Sequence, residues 1–190
     1  MSKGLEKFNN LVDALMELPS VGKKSATRFA YHLVLSDPFL ALKLSHSIES
    51  AISSIKKCTL CGGLSEDEIC QICHDDNRSD TKLCIVENAK DILVLEESNS
   101  FDGKYFVLEN LEAESIEKLK DLIAERFVNE IIFALTPSLA NDSVILFVED
   151  KLKDFDITFT KIAQGVPTGV TLENVDMLSL SKALSDRVKV

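Results

Sequence analysis

The sequence predicts a multidomain α+β protein, and three features of its pattern support this fold class. Apolar residues recur every three or four positions through the first 55 residues, which predicts a helical N-terminal domain. Four cysteines in two C-x-x-C pairs follow directly, from Cys58 to Cys73. Beyond them, short apolar or β-branched runs alternate with helical patterns, as is typical of a mostly parallel sheet with helices on its faces.

The elements are delimited by their periodicity and by breakers such as Pro19 and Pro38. The predicted helices span residues 5–18, 23–35, 39–55, 89–97, 115–127, 139–153 and 178–187. The predicted strands span residues 82–87, 104–108, 130–135 and 156–163. In the second helix the residues expected to face inward are Ala26, Phe29, Ala30, Leu33 and Val34.

The charge is distributed unevenly along the chain. The formal net charge is −10, but residues 1–57 contain eight Lys and Arg against five Asp and Glu, so this part carries +3 and the remainder −13. A basic N-terminal part on an acidic body predicts that any nucleic acid meets the former and another partner the latter. No apolar run is long enough for a signal peptide or a membrane span, so we expect a soluble cytoplasmic protein.

The segment 18–30, LPSVGKKSATRFA, joins two predicted helices through a short turn and resembles a helix-hairpin-helix motif. In such a motif the backbone N–H groups at the start of the second helix favour a phosphate. Lys23, Lys24 and Arg28 surround that point and are the predicted DNA-binding residues. The motif usually has two glycines, whereas Ser20 stands at the first position and only Gly22 remains. The alternative is an ordinary turn with exposed basic residues.

The cysteines predict a structural zinc site. Two C-x-x-C pairs supply four thiolates, which complete a tetrahedral shell around one Zn²⁺ per chain, held by Cys58, Cys61, Cys70 and Cys73. Such a shell leaves no position for water or substrate. The alternatives are reduced spare thiols or a redox pair. Cys84 lies in a predicted strand, where it is expected to be a buried apolar residue.

Taken together, the chain resembles the RecR family of bacterial recombination mediators along essentially its whole length. The resemblance rests on LPSVGKKSATRFAYHL, the four-cysteine cluster, CIVENAKDILVLEES and KIAQGVPTGVTLENVDMLSLSKALSDR. It implies a helix-hairpin-helix domain over 1–56, a zinc finger over 57–79 and a Toprim-like α/β domain over 80–163. A C-terminal segment over 164–190, which bears a Walker B-like element and contains Asp176, is implied to support a homodimer or ring-like homotetramer.

The resemblance also implies a function without catalysis. RecR proteins bind DNA and act with RecO, and in many bacteria with RecF, to load RecA onto single-stranded DNA. Because the hairpin is expected to contact the DNA backbone and not the bases, we expect the binding to be independent of the DNA sequence. This role implies a nucleoid-associated, cytoplasmic protein.

Toprim enzymes hold Mg²⁺ with a glutamate after the first strand and a D-x-D after a later one. Here Glu87 fits the first position, but TPSLANDSV offers only Asp142, with Asp91 as a third acid. We therefore expect Glu87, Asp91 and Asp142 to form an acidic partner-binding surface; the alternative is that they are ordinary solvated residues at the edge of the sheet. A Toprim-type nuclease or primase-like enzyme and a pure protein adaptor are the alternatives. GVPTG lacks the lysine of a P-loop, so ATP hydrolysis is not expected.

Overall fold

The computed structural model describes residues 4–163 and 165–187, and it divides the chain into two compact units, Met1–Ile55 and Lys56–Val190. The first unit contains α1 (Glu6–Met16), α2 (Lys23–Tyr31), a π-helical turn (His32–Ser36) and α3 (Pro38–Ser54). Pro38 occupies the first turn of α3, and the Asp37 carboxylate accepts a hydrogen bond from the Leu40 N–H at 2.9 Å. This cap fixes the start of α3 after the break that Pro38 requires.

The core of the first unit is small. Val12, Ala26 and Ala30 are buried, and Phe8, Leu11, Leu15 and Val21 pack around them. The inward positions predicted for Ala26 and Ala30 are therefore confirmed, but those predicted for Phe29 and Val34 are wrong, because these side chains are 40% and 46% exposed. The π-helical turn explains Val34, since its wider hydrogen-bonding pattern moves the residues after Tyr31 off the face that α2 presents.

The second unit begins with a short antiparallel hairpin, β1 (Lys56–Lys57) and β2 (Leu64–Ser65), and a single helical turn, α4 (Gln71–His74). The α/β part then runs β3 (Lys82–Val86), α5 (Ala89–Glu97), β4 (Lys104–Val107), α6 (Ala113–Arg126), β5 (Glu130–Ala134), α7 (Leu139–Lys151) and β6 (Thr158–Lys161). A 3₁₀ turn (Leu172–Asn174) and α8 (Met177–Ser185) follow. The predicted alternation of strands and helices is confirmed.

The four long strands form one parallel sheet in the order β4-β3-β5-β6. Alternate residues of β3 face the two cores: Leu83 and Ile85 contribute to the larger one with residues of α6 and α7, whereas Cys84 and Val86 contribute to the smaller one with Ile92 of α5. From β3 the chain winds to β4 on one side and then returns to β5 on the other side of β3, so its winding direction reverses beside β3. In open α/β sheets such a switch point, at the carboxyl ends of the strands, is where ligands and partners bind.

None of the described helices is long and apolar enough to cross a membrane.

Candidate functional site

The first candidate site is the start of α2. Gly22 is the N-cap residue, with φ −84° and ψ 167°, and no side chain caps the helix. The first turn of α2 contains no acidic residue, and the first helical hydrogen bond runs from the Ala26 N–H to the Gly22 carbonyl at 3.0 Å. The backbone N–H groups before Ala26 are thus left for an external acceptor, which is the arrangement that binds an anion.

Basic side chains surround this helix start. Lys23, Lys24 and Arg28 are all exposed, and Arg28 lies over the ring of Phe29 with its guanidinium carbon 5.5 Å from the centroid. Among the described residues, none of the ion pairs involves these three cations. Their charges are therefore available to a polyanion.

Ser20, in the turn before α2, has an unusual backbone conformation that the sequence pattern did not predict. Ser20 has φ 65°, in the left-handed region where non-glycine residues are strained. It takes the conformation for which the helix-hairpin-helix pattern usually has glycine, and this departure from the pattern was the signal that could have identified it.

The second candidate site is a metal centre. The sulfurs of Cys58, Cys61, Cys70 and Cys73 all lie within 4.8 Å of one another, and those of Cys61 and Cys70 are 3.6 Å apart. Four sulfurs at about 2.3 Å from one tetrahedral ion would be about 3.8 Å apart. The donor set and its spacing therefore fit a single four-coordinate ion.

The backbone of both knuckles already points at these sulfurs. The N–H groups of Gly63, Cys70 and Cys73 donate to the sulfurs of Cys61, Cys58 and Cys70, at 3.3, 3.3 and 3.4 Å. Gly62 has φ +74°, which permits the tight first knuckle.

The other thiol and the histidines have no comparable surroundings. Cys84 is buried in β3, and burial raises the pKa of its thiol to about 12, so it is the inert core residue predicted. His74 follows the last cysteine but is exposed, and His32 and His46 are exposed on the first unit.

The third candidate site is the carboxyl end of the sheet, at the switch point. Glu87 follows β3, and its carboxylate accepts hydrogen bonds from the Thr136 hydroxyl at 2.8 Å and from the Asn141 side-chain amide. The same amide also donates to the Thr136 carbonyl at 2.7 Å. Asp142 lies in the first turn of α7, where its carboxylate pairs with Lys161 of β6 at 3.4 Å.

The three predicted acids therefore do not converge. Asp91 forms the capping box of α5, in which its carboxylate accepts from the Asn88 N–H at 3.0 Å. Among the described residues, the four cysteines are the one group of three or more Cys, His, Asp or Glu side chains close enough to share an ion. Asn141 of α7 contacts Glu87, and Asp142 follows it in the chain with Lys161 as its own partner, whereas Asp91 is engaged in the cap of α5.

A groove of about 410 Å³ lies beside Asp142, between α7 and β6. Its apolar lining comes from Phe133, Ile145, Leu146 and Phe159, and Glu149 joins Asp142 at its rim. No sequence pattern indicates this groove or the contact of Asn141 with Glu87, because each depends on residues far apart in the chain.

The comparisons with known proteins fit this arrangement. The family model described as "RecR, helix-hairpin-helix" matches residues 8–52. A "Recombination protein RecR" of a Nitratiruptor species is 59% identical over 190 residues, which cover the whole of both chains. The chain belongs to the RecR family.

Further members of the RecR family agree over the same length. The protein of the same name from Campylobacter jejuni subsp. doylei is 55% identical over the whole of both chains. The protein of the same name from Helicobacter pylori is 50% identical over 185 residues, which cover 97% of this chain and 96% of the Helicobacter pylori protein. Because the likeness covers the helical unit, the cysteine cluster and the sheet together, the family assignment applies to the chain as a whole.

Proposed function

We propose that this protein is a non-enzymatic, DNA-binding recombination mediator. In recombinational repair it would act with RecO, and with RecF where that protein exists, to load RecA onto single-stranded DNA at the nucleoid. The observation that carries the proposal is the full-length relation to proteins named "Recombination protein RecR", together with the uncapped, cation-surrounded start of α2.

DNA binding is proposed to use the backbone phosphates. The uncapped N–H groups of α2 bind one phosphate, and Lys23, Lys24 and Arg28 neutralise its neighbours. Contacts of this kind position a protein on DNA without reading the bases. Binding should therefore be independent of sequence and strongly dependent on salt.

A double variant tests this proposal. Lys24→Ala/Arg28→Ala should bind labelled single-stranded DNA at least about tenfold more weakly at about 50 mM salt, and its plot of log K against log salt should be shallower by about 0.7 per lost phosphate contact. The matched control is Lys118→Ala/Lys153→Ala, which removes the same charge from exposed positions of the second unit. Equal affinity of both double variants and the unaltered protein would refute the DNA assignment.

The metal is proposed to be Zn²⁺, one per chain and structural, held by Cys58, Cys61, Cys70 and Cys73. The closed set of four sulfurs supports this choice, because thiolates favour zinc over hard cations and leave no open position for chemistry. Elemental analysis of freshly purified, reduced protein should find about one zinc per chain, and Cys73→Ser should reduce it. A protein free of zinc would refute the proposal.

The carboxyl end of the sheet is proposed as the surface that binds RecO, with Glu87 and Asp142 at its centre and Asp91 at its margin. The separation of these acids supports docking over metal-dependent catalysis, since hard divalent ions need several oxygen ligands together. Asp142→Lys should weaken RecO capture, whereas Asp121→Lys, an exposed acid on α6, should not. Cleavage of labelled DNA with Mg²⁺ or Mn²⁺ that Glu87→Gln abolishes would overturn the assignment in favour of a Toprim enzyme.

Self-association is proposed on the basis of exposed apolar side chains. Phe39, Leu42 and Ile52 on α3 are 72–79% exposed, and Met177 and Leu178 on α8 are 75–79% exposed. Apolar surfaces of this kind mark protein interfaces. We propose a homodimer or ring-like homotetramer, with residues 164–190 as an association segment alongside the 1–56, 57–79 and 80–163 domains. Mass measurement by light scattering should show assemblies that Phe39→Glu or Met177→Glu reduces; a monomer at all concentrations would contradict this.

A further inference from the structure

Lys104 is the one charged residue that the described part of the chain buries, with 2% of its surface exposed. It begins β4, and its ammonium donates to the carbonyls of Asp75, Ile72 and Cys73 at 2.6, 2.9 and 3.3 Å. All three donors of the ammonium are thereby used. The Asp80 carboxylate is 3.9 Å away.

These carbonyls lie at the end of α4, the helical turn that carries the second cysteine knuckle. Cys70 caps this turn, and Cys73 lies within it. The last carbonyls of a helix have no partner inside it, and a cation there is favourable. Lys104 therefore supplies the hydrogen bonds and the charge that the end of this knuckle lacks.

A second set of contacts holds the first knuckle to the same strand. The Val107 N–H donates to the Cys61 carbonyl at 2.8 Å, and the Gly62 Cα lies so close to Val107 that a Cβ there would be 3.2 Å from the valine Cβ. Both knuckles thus lie along β4. This strand is one edge of the sheet and is buried throughout, whereas β6, at the other edge, is mostly exposed.

Burying an ammonium costs several kcal/mol unless it is fully paired, so its presence needs a compensating gain. Four thiolates around Zn²⁺ carry a net charge of −2, and a fixed positive charge beside them reduces the repulsion. An apolar residue at position 104 could fill the space, but it could neither satisfy the three carbonyls nor offset that charge.

We propose that Lys104 is a positioning residue that couples metal occupancy to the edge of the sheet. Its ammonium holds the second knuckle on β4, so that loss of the ion loosens β4 and loss of the ammonium loosens the ion. This inference rests on the proposed zinc site. It adds that the site and the sheet are one cooperative unit, which metal content alone does not show.

The test compares the variant Lys104→Met with the control Lys82→Met. Lys82 begins β3 and pairs with the exposed Asp102. Two quantities are measured: release of zinc to a chromogenic chelator, and amide hydrogen exchange of Tyr105 to Val107. Lys104→Met should release zinc roughly 10- to 100-fold faster and lose protection in β4. Lys82→Met should match the unaltered protein in both.

The unaltered protein provides an independent measurement if Lys104→Met fails to fold. Removal of its zinc by chelation should speed amide hydrogen exchange in β4 and leave that of β6 unchanged. The variant Lys104→Arg should fold but release zinc faster, because a planar guanidinium cannot reach all three carbonyls. Two results would overturn the coupling alone. One is that β4 of the zinc-loaded protein stays protected after the zinc is removed, and the other is that Lys104→Met releases zinc at the normal rate. Protein that never holds zinc would overturn the metal site as well.

Discussion

Replacing Gly22 by aspartate should change the stability of the helical unit and its affinity for DNA in opposite directions. Gly22 has the dihedral angles of a helix N-cap, and an added Cβ would meet no atom within 4 Å. An aspartate there could accept hydrogen bonds from the uncapped N–H groups of α2. Those same groups are the proposed phosphate site, so the cap and the DNA compete.

The expected gain in folding stability is small. Aspartate is better than glycine at an N-cap by a few tenths of a kcal/mol, and this difference already includes the interaction of the carboxylate with the positive end of the helix and the lower entropy of the unfolded chain. For a unit of the size of Met1–Ile55 this corresponds to a rise of the melting temperature by about 1–3 °C.

The loss of DNA affinity follows from Coulomb repulsion. Two negative charges about 4 Å apart repel by about 1 kcal/mol in bulk water and by about 4 kcal/mol at the effective dielectric of a protein surface. Even the smaller value corresponds to about fivefold weaker binding, and the effect should diminish as salt is added.

Calorimetry and fluorescence anisotropy with labelled single-stranded DNA measure the two effects, and Gly22→Asn is the matched control. Asparagine caps a helix as well as aspartate does but adds no charge, so it should raise the melting temperature and weaken binding less. An aspartate variant that melts higher and binds DNA with unchanged affinity would refute the proposed phosphate site. A variant that melts lower would refute the assignment of Gly22 as N-cap.

Three further predictions concern stability. Ser20→Gly should raise the free energy of unfolding by about 0.5–1 kcal/mol in denaturant titrations, because it relieves a left-handed residue at φ 65°, and a loss of stability would contradict this. Hydrogen bonds from Arg78 hold the pKa of the Glu96 carboxyl below its usual 4.5. The ion pair therefore stabilises the folded protein above pH 4.5, and this stabilisation is lost as the pH falls through the lowered pKa that Glu96 has in the folded state. Glu96→Gln should cost about 1 kcal/mol at pH 7, and the melting temperatures of the two proteins should converge in acid; a constant difference would exclude the pair as its cause. Leu119→Ala, at a fully buried position of α6, should cost about 2–5 kcal/mol, whereas Leu146→Ala, 66% exposed, should stay within about 0.5 kcal/mol.

The elements that were predictable are those whose own residues determine them. The helix Ala89–Glu97 has the predicted bounds, and β3 ends one residue before its predicted limit. A continuous apolar run from Leu83 to Val86 is buried on both faces of the sheet, which is what a central parallel strand requires. The four cysteines come together as predicted, because each C-x-x-C spacing places two sulfurs on one tight turn and two such turns complete the set.

The unpredicted features depend on contacts between distant residues. The strands of the hairpin β1–β2 are two residues long, too short for any period, and the hairpin closes through the hydrogen bond from the Cys58 N–H to the Gly63 carbonyl at 2.7 Å. The burial of Lys104 depends on carbonyls about 30 residues away. A lysine at the start of a strand is usually solvated, so its local sequence predicts the opposite.

The same distinction applies to the acids at the switch point, which do not come together as a group of three among the described residues. An enzyme of the Toprim type needs a D-x-D after a later strand, and the sequence offers only Asp142 there. The structure adds that an amide faces Glu87 instead, since Asn141 donates both to that carboxylate and to the Thr136 carbonyl. The Asn141 amide therefore supplies a hydrogen-bond donor to the Glu87 carboxylate from within the protein. The next residue, Asp142, has a different partner, the exposed Lys161, at 3.4 Å. Carboxylates that are held apart beside an apolar groove therefore support the proposed docking of a cationic partner over the binding of a small hard ion, which needs several oxygen ligands together.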